Sequence, residues 1–495
     1  MREGVHIAQV VEELDRHNLL PAIVFRTSRS QCDVDAERAG KNPRLKLSPV
    51  LQRELHAKVH KIAESYEMDT ELITSHPHYN SLITTGIGAH HAGQLLMWRL
   101  LLEELMAAGL LRTLVATGTV AAGVDFPART VVITAHSKRG SDGFRPLTSA
   151  EFQQMSGRAG RRGKDTVGFC VAAPSPFNDA RVLLNIAKQP PEPLVSAYFP
   201  GPSTVLNLLR YRTVDGLQFT VQRSLAAFID RREAVVLRDQ AASFAAQLPS
   251  HLAPRVTALR QDGLADFVEP SQAEMAALSK DEKKLLKKVR RYFREASVLE
   301  TRQVSLLDTA LNGLRELNYL EGMHLSEKGM WAANLCTNLV LELGEIIQAE
   351  LFKGASAETL VAVVAAISAD SYRQYLNTKN FALDKEQTAK VTEILNRITK
   401  LDMPGVVPNR TVNMAAANTA LTWLQCEDWQ EFRALLTLSG VAEGDAARLI
   451  TQTAEQLNQL TRLSQTHSEL AHRSEEGKRR LLRPPLTEQL NLDSE

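Results

Sequence analysis

The sequence predicts an α/β domain built on a parallel sheet, followed by domains that are mostly α-helical. Short apolar runs alternate with helical patterns from residue 4 to residue 175, as they do when helices connect parallel strands. Beyond residue 190 the helical pattern continues almost to the end of the chain, interrupted mainly by Gly and Pro. A chain of 495 residues is too long for one core, so we expect about three domains.

The composition excludes several classes of protein. The formal net charge is +1, so any surface for nucleic acid must be a local one. The four cysteines are far apart and form no CxxC pair, which argues against a zinc site or a disulfide framework and favours a reducing cytoplasm. No apolar stretch is long enough to indicate a signal peptide or a membrane span, so we expect no membrane partner.

The chain begins with a helical pattern over residues 4–18. Residues 20–25 are an apolar run that ends in a polar turn around Ser28. Ser28 would cap the next helix, whose N-terminus attracts a phosphate. An ordinary strand-to-helix turn is the alternative. Residues 40–80 are polar, and we interpret them as a connecting insertion.

Residues 83–93 contain paired histidines and lead into an amphipathic helix over residues 94–108. Adjacent residues point in different directions, and no third ligand stands at a usual spacing from His90 and His91. We therefore expect no metal here.

Residues 114–117 form another apolar run, which is followed by a polar, Gly-rich loop that reaches Ala128. Residues 130–135 form the next apolar run. In an open α/β sheet, ligands bind outside the carboxyl ends of the strands. This location makes Thr117, Thr119 and Asp125 candidate binding residues.

The turn at residues 154–163 contains arginines separated by glycines. Gly157 and Gly160 allow the backbone to turn sharply, so that Arg158 and Arg161 can approach an anion. Arginine is always charged and presents a planar fork, which suits the charge that develops on a γ-phosphoryl group. The alternative is an exposed basic loop.

Several of these segments together resemble one known family. The runs VATGTVAAGVDFPA and QMSGRAGRRG resemble motifs V and VI of superfamily-two helicases, in particular of the superkiller-type (Ski-like) DExH RNA helicases. PAIVFRTSRSQC is similar to their motif IV, and GIGAHHAG to their GxxxHHAG segment. The resemblance implies that residues 1–189 form the second RecA-like domain of a helicase core.

The resemblance also implies roles for individual residues. Arg158 and Arg161 would reach the γ-phosphate of ATP, and Gln154 would position their turn or the attacking water. The nucleotide would also lie against Gly123, Asp125 and Gly157. The residues implied in contact with a nucleic-acid strand are Ser28, Arg29, His90, His91, Gly93, Thr117 and Thr119.

Two elements that bind the β-phosphate and Mg²⁺ in this family are not found in the sequence. Nothing matches GxxxxGK[ST], and no DExH follows an apolar strand. We therefore expect the chain to be a truncated product or one half of a split enzyme that lacks the first RecA-like domain. ATP would bind with Mg²⁺ held by that missing domain, and this chain alone would not hydrolyse ATP.

Residues 190–333 are predicted to form a winged-helix domain with a helical insert. PLVSAYF, TVLNLLRY and LNYLEGMHLSEKGMWAANL resemble this domain of the family, with residues 319–329 as the wing hairpin. Residues 281–294 are the most basic stretch, and they form either a solvated helix face or a track for RNA phosphates. We expect a separate helix over residues 307–317, and no insertion large enough for the arch domain of some members.

Residues 334–495 are predicted to form a helical domain of the DSHCT, ratchet-like type. The segment VAEGDAARLI resembles the EGDxxR signature of that domain, in which one long helix lies across the nucleic-acid exit. Arg448, Gln452 and Asn458 would lie on the side of this helix that faces the nucleic-acid strand. A bundle helix with incidental polar residues is the alternative. Both tryptophans of this domain are predicted to lie in its core.

The chain is thus predicted to be the C-terminal part of an ATP-dependent RNA helicase that translocates along a single strand and unwinds duplexes in the cytoplasm. The expected partners are single-stranded RNA, with DNA as an alternative, the missing N-terminal RecA-like half in cis or in trans, and an RNA-decay nuclease. The competing hypothesis is a non-catalytic nucleic-acid-binding or adaptor module derived from such a helicase.

Overall fold

A computed structural model of the chain describes residues 6–121, 128–140, 143–161, 163, 165–259, 264–377 and 383–487. Within these ranges it confirms the predicted fold class, because a five-stranded parallel sheet in the N-terminal region is followed by a mostly helical remainder. The strands of the N-terminal region are β1 (Ala22–Arg26), β2 (Ile87–His90), β3 (Thr113–Thr117), β4 (Thr130–Ile133), β5 (Ser137–Gly140), β6 (Gly143–Pro146) and β7 (Phe169–Ala172).

The sheet has the strand order β2-β3-β1-β4-β7, and its neighbouring strands are parallel. Ala22 of β1 stands opposite Thr113 of β3 and Thr130 of β4, so the carboxyl ends of the strands share one edge. Strands β1 to β4 are almost completely buried, as unbroken apolar runs predict for strands covered on both faces. Strands β5 and β6 form a separate antiparallel hairpin that the sequence analysis did not predict.

Helices cover both faces of this sheet. In chain order they are α1 (Ile7–Arg16), α2 (Arg29–Lys41), α3 (Pro49–Ser65), α4 (Thr70–Thr74), α5 (Tyr79–Thr85), α6 (Leu96–Ala107), α7 (Ser149–Ser156) and α8 (Ala180–Lys188). Successive side chains of a strand point to opposite faces. Val24 of β1 accordingly packs with residues of α1 and α2, and Ile23 with residues of α3 and α6.

Residues 40–80 are not the connecting insertion that the sequence analysis predicted. Leu55 and Val59 of α3 are fully buried in the same cluster as Ile23 of the sheet. The segment is polar in composition because α3 is amphipathic, and only a narrow stripe of it faces the core. These helices are therefore part of the domain.

The middle region contains a long helical hairpin and a short β-hairpin. Its elements are α9 (Pro202–Leu209), α10 (Val214–Gln222), α11 (Leu225–Ala245), α12 (Ala253–Val256), β8 (Thr257–Leu259), β9 (Ala265–Phe267), α13 (Gln272–Ala277), α14 (Lys280–Glu316), β10 (Leu320–Glu321), β11 (His324–Leu325) and α15 (Glu327–Ala332). A hairpin is present in the predicted segment 319–329 as the antiparallel pair β10 and β11, and its role as a wing stays a prediction.

Helix α14 is continuous over 37 residues, where the sequence analysis predicted two separate helical stretches. It packs antiparallel to α11, because Asp230 near the start of α11 accepts a hydrogen bond of 2.9 Å from Gln303 in the second half of α14. Further along α11, the buried Arg238 donates to Glu300 at 2.7 and 2.9 Å. We call α11 and α14 the helical hairpin. Its tip, residues 246–279, carries β8 and β9.

The C-terminal region is a bundle around α17. Its helices are α16 (Val340–Gln348), α17 (Ala357–Ser368), α18 (Lys385–Lys400), α19 (Met414–Gln425), α20 (Trp429–Leu438), α21 (Glu443–Thr461) and α22 (Ser468–Leu481). Trp423 and Trp429 are buried, which confirms the prediction that both belong to the core. One continuous cluster of buried apolar residues joins this bundle to one face of the sheet. Across the described ranges, no helix is both long and apolar enough to cross a bilayer.

Candidate functional site

The carboxyl edge of the sheet opens into a cavity of about 340 Å³ between the ends of β1 and β3 and helix α7. Thr27, Thr117 and Gln154 line this cavity, together with Thr119 and with Lys138 of the β5–β6 hairpin. The hydroxyl oxygens of Thr117 and Thr119 lie 2.9 Å apart. Thr117 and Thr119 from one predicted segment and Gln154 from another therefore meet at one polar opening.

The β5–β6 hairpin is fixed beside this cavity by Glu151 of α7. Arg145 donates to both carboxylate oxygens of Glu151, at 2.6 and 2.9 Å, and Lys138 pairs with the same group. Burial alone would raise the pKa of Glu151, but the bonds from Arg145 and Lys138 outweigh it and lower the pKa to about 2. The signal that could have predicted the hairpin is the pair Gly140 and Gly143 around a short polar turn.

Arg158 connects the arginine turn to the loop that follows β3. Its Nε and Nη2 atoms donate to the carbonyl oxygen of Ala121, at 3.3 and 2.9 Å. The backbone continues this link, because the Ala128 amide donates to the Arg158 carbonyl at 2.9 Å and the Gly160 amide donates to the Ala128 carbonyl at 2.7 Å. The two segments that resemble motifs V and VI are therefore in direct contact.

Arg161 forms a bidentate pair with Asp165. Its Nε and Nη2 atoms donate to the two carboxylate oxygens, at 2.8 and 2.9 Å, and its backbone amide donates to the same carboxylate at 3.0 Å. These bonds lower the pKa of Asp165 to about 2 and raise the pKa of Arg161. The Arg161 guanidinium stays charged and is held at the turn by Asp165.

Gly157 and Gly160 of the arginine turn are required by close backbone contacts. Gly157 ends α7, and a Cβ atom there would lie 2.8 Å from the carbonyl oxygen of Gln153. Gly160 has a φ of +94°, which favours glycine, and it packs against the backbone of Gly168. Gly123 and Asp125, predicted to face the nucleotide, lie outside the described residues.

Ser28 and Arg29 begin α2 at the carboxyl end of β1. The Ser28 hydroxyl accepts a hydrogen bond from the Gln31 amide at 3.3 Å, so Ser28 is the N-cap of the helix. The Arg29 guanidinium reaches the helical bundle, where it donates to both carboxylate oxygens of Asp445, at 2.8 and 2.9 Å. Arg373 pairs with the same carboxylate. Burial, and then repulsion from Arg373, lowers the pKa of Arg29.

The paired histidines are buried and bound to carboxylates. The Nε2 atom of His90 lies 2.7 Å from Glu103, and the Nε2 atom of His91 lies 2.8 Å from Asp33. His78 contacts the same oxygen of Asp33 at 3.0 Å. Burial favours a raised pKa for Asp33, but the bonds from His78 and His91 hold it below its ordinary value. Both histidines thus orient the turn that leads into α6.

Gly93, in that turn, is covered by the first turn of α21. The Gly444 amide donates to the Gly93 carbonyl at 3.0 Å. A Cβ atom on Gly444 would lie 2.6 Å from the carbonyl oxygens of both Ala92 and Gln94. Only glycine allows this approach, so Gly444 is the point at which the bundle rests on the α/β domain.

Arg433 of α20 makes a second contact between the bundle and the α/β domain. Its Nη1 atom donates to the Leu72 carbonyl at 3.2 Å and to the Ser75 hydroxyl at 3.0 Å. Its Nε atom lies 2.7 Å from Glu443, the first residue of α21. We call the Arg29, Arg433 and Gly444 contacts the interdomain joint. The joint could not be predicted from the sequence, because nothing local marks which arginines have distant partners.

The residues of α21 that are predicted to face a nucleic-acid strand have different environments. Arg448 is 54% exposed and lies 3.7 Å from Asp370. Gln452 lines a second cavity of about 360 Å³, beside the exposed Tyr372. Asn458 accepts a hydrogen bond of 3.3 Å from Lys478 of α22. Contact between nucleic acid and these residues, or Arg29, His90, His91 and Gly93, stays a prediction.

Comparisons with known protein families agree with this architecture. The helicase conserved C-terminal domain matches residues 77–163, and the DSHCT (NUC185) domain matches residues 322–488. The first match contains β2, β3, β4 and the arginine turn, and the second contains the whole bundle. Fold and site together define a helicase C-terminal domain joined to a DSHCT domain.

Three helicases of other organisms are also similar to this chain in sequence. The chain is 33% identical over 231 residues to "Probable helicase HelY" of Mycobacterium tuberculosis, which covers 46% of the chain and 25% of the relative. It is 29% identical over 296 residues to "DExH-box ATP-dependent RNA helicase DExH10" of Arabidopsis thaliana, which covers 60% and 29%. It is 33% identical over 226 residues to "ATP-dependent RNA helicase mtr4" of Schizosaccharomyces pombe, which covers 45% and 20%.

The matched segments span between a fifth and a third of the length of these relatives. Together with the two domain matches, they show that the chain corresponds to the C-terminal portion of a Ski-like DExH helicase. The resemblance found in the sequence is thereby confirmed at the level of the family.

Proposed function

We propose that this chain provides the second RecA-like half of an ATP-dependent RNA helicase motor. ATP would bind between its carboxyl edge and a first RecA-like domain, supplied in cis or in trans. The observation that carries the proposal is the direct contact between the loop after β3 and the arginine turn, through Arg158 and the Ala121 carbonyl. This contact gives one rigid edge from which arginines and hydroxyls can face a nucleotide.

Arg161 is proposed to stabilise the charge that develops on the γ-phosphoryl group during hydrolysis. In the structure its fork is held by Asp165, with its backbone amide bound to the same carboxylate. A phosphate presented by the facing domain would offer the same bidentate geometry. Gln154 lines the adjacent cavity and would position the turn or the attacking water. Gly157 is also proposed to contact the nucleotide, as are Gly123 and Asp125, which lie outside the described residues.

Mg²⁺ would be held by the facing domain. Among the described residues, no group of three or more His, Cys, Asp or Glu side chains could hold a metal ion. The donors that this chain does offer, guanidiniums and hydroxyls, fit phosphate oxygens rather than a cation. When bound, Mg²⁺ would neutralise phosphate charge and orient the γ-phosphoryl group.

Single-stranded RNA is the proposed substrate, with DNA as the alternative. Thr117 and Ser28 stand at the carboxyl edge, and Arg448 is exposed on α21. These groups suit phosphate contacts that do not read sequence. The name of the mtr4 relative supports RNA, and an RNA-decay nuclease is a proposed partner. The four cysteines are free, which supports action in the reducing cytoplasm.

ATP hydrolysis tests this proposal. We expect the chain alone to show no turnover, with or without single-stranded RNA. Addition of a first RecA-like domain of the same family, fused or in trans, should produce RNA-stimulated turnover. In that complete enzyme, Arg161→Ala should lower kcat by a factor on the order of 10³ or more while RNA affinity persists. Arg16→Ala, at an exposed site outside the cavity, is the matched control.

Two outcomes would overturn the proposal. Robust turnover by the chain alone would mean that the nucleotide site is built differently. Unchanged turnover in the Arg161→Ala enzyme would contradict the role of the arginine turn. An enzyme that binds RNA but never hydrolyses ATP with any first domain would favour the adaptor hypothesis.

A further inference from the structure

Helix α14 carries a straight row of exposed cations on the tip half of the helical hairpin. The row consists of Lys280, Lys284, Lys287, Arg291 and Arg294, and each of these side chains is exposed. The residues are spaced alternately by four and three positions. At 100° per residue they fall within a sector of about 80° and span about 21 Å of the helix axis. We call these five residues the basic stripe.

The acidic side chains of this half of α14 lie outside the basic stripe. The acidic residues of the same half of α14 are Asp281, Glu282 and Glu295, and helical geometry puts them outside the sector of the stripe. Lys284 and Arg291 lie 3.6 Å from Asp281 and Glu295 in exposed pairs, which hold cations weakly. A face that serves only for solubility mixes both signs. The whole chain has a net charge of only +1, so the stripe is not a consequence of a basic protein.

The stripe stands on a part of the hairpin that extends away from the main body. Leu286, Val289 and Phe293 on the opposite side of α14 belong to a separate small core with the hairpin tip. The second half of α14, through Leu307 and Leu311, instead joins the main core. The proposed motor edge lies on the α/β domain, so the stripe is a second and separate surface.

We propose that the basic stripe binds the phosphate backbone of RNA outside the motor cleft, which rests on the proposed function for the choice of RNA. Consecutive cations follow one another about every 5 Å along a straight line, a repeat that suits a regular polyanion. The sector between Lys280 and Arg294 contains no apolar or aromatic side chain to anchor a protein partner. Contact through phosphates alone predicts binding without sequence preference.

The test is the salt dependence of binding to a single-stranded RNA of about 30 nucleotides, measured by fluorescence anisotropy without nucleotide. The variant combines Lys284→Glu, Lys287→Glu and Arg291→Glu. Removing three phosphate contacts should reduce the slope of log K against log salt by about 2. The RNA affinity of the variant at 50 mM salt should be lower than that of the parent chain by a factor of about 10 or more. The difference in affinity between the two proteins should be smaller at 200 mM salt. Duplex RNA, tested in parallel, should show the same loss.

The matched control reverses the same number of charges elsewhere, with Arg16→Glu, Lys41→Glu and Arg44→Glu. These side chains are 65%, 80% and 81% exposed and lie toward the amino edge of the sheet. The control should bind RNA with a nearly unchanged slope. Both variants should melt like the parent chain, because the replaced side chains are exposed.

Equal effects in the two variants would overturn the proposal, because they would reflect net charge alone. An unchanged slope in the stripe variant would also overturn it and point instead to an acidic protein partner. A chain that fails to bind RNA at all would contradict the proposed function itself. The two proposals therefore fail in different ways.

Discussion

Arg29 and Asp445 are 416 positions apart in the chain, yet the Arg29 guanidinium donates to both oxygens of the Asp445 carboxylate, at 2.8 and 2.9 Å. Arg29 begins the helix after β1, and Asp445 lies in the first turn of α21. The pair therefore connects the α/β domain to the long helix α21.

Replacing Asp445 tests the strength of this connection. Asp445→Asn keeps the shape of the side chain but removes the carboxylate that Arg29 and Arg373 share. Arg373 keeps its pair with Asp370. Since the pair is only partly buried, we expect the free energy of unfolding to fall by about 1–3 kcal/mol, measured by urea denaturation. Glu350→Gln, in an exposed pair with Lys353, is the control and should change stability by less than about 0.5 kcal/mol. Equal losses in the two variants would contradict the joint.

Gly444→Ala should separate α21 from the α/β domain without removing any charge. The added Cβ would lie 2.6 Å from two backbone carbonyl oxygens, which cannot move as a flexible side chain could. We expect faster hydrogen exchange in residues 87–95 and a lower melting temperature. The control is Gly216→Ala in α10, where the nearest atom is a side-chain oxygen at 3.4 Å. Hydrogen exchange of residues 87–95 at the parental rate in Gly444→Ala would contradict the contact of α21 with the α/β domain at this glycine.

His90 should make the α/β domain sensitive to moderate acid. Burial lowers the pKa of His90, and the nearby Arg99 and His91 lower it further, whereas the hydrogen bond with Glu103 opposes this shift without cancelling it. The folded pKa lies below the unfolded value of about 6.5, so the unfolded chain binds the proton more readily. The contribution of neutral His90 is present above about pH 6.5 and is lost as the pH falls below it. Denaturant titrations at several pH values should show a shallower loss in His90→Gln than in the parent chain.

Trp423 is expected to be a core residue without a role in binding. It is fully buried, its Nε1 donates to the Leu481 carbonyl at 2.8 Å, and its ring meets Trp429 edge-on at 5.0 Å. Trp423→Ala should cost about 3–5 kcal/mol of unfolding free energy. The exposed Phe144 gives the control, because Phe144→Ala should cost less than about 0.5 kcal/mol. Weaker RNA binding by Trp423→Ala at full stability would contradict this view.

The sheet and most helices could be predicted from local patterns. Residues 114–117 and 130–133 are apolar runs bounded by polar turns, and both are buried strands of the sheet. Ser28 was correctly placed before α2, because an N-cap depends only on the next few residues. The β5–β6 hairpin was missed because neither strand shows apolar alternation, and all four residues of β6 are exposed. The continuity of α14 was missed because its middle is polar on most sides, and packing on α11 keeps it helical.

The parallel sheet, the arginine turn and the helical bundle could be predicted from local sequence, because strand and helix periodicity and glycine turns depend on neighbouring residues. The pairing of charged groups depends on the tertiary structure. Arg161 binds Asp165, four residues further along the chain, but Arg29 binds Asp445 and Arg158 binds the Ala121 carbonyl, which are 416 and 37 positions away. Electrostatic interactions depend on distance in space, and the fold brings together segments that are far apart in the chain. The partners of Arg29 and Arg158 therefore cannot be predicted from their neighbours in the sequence.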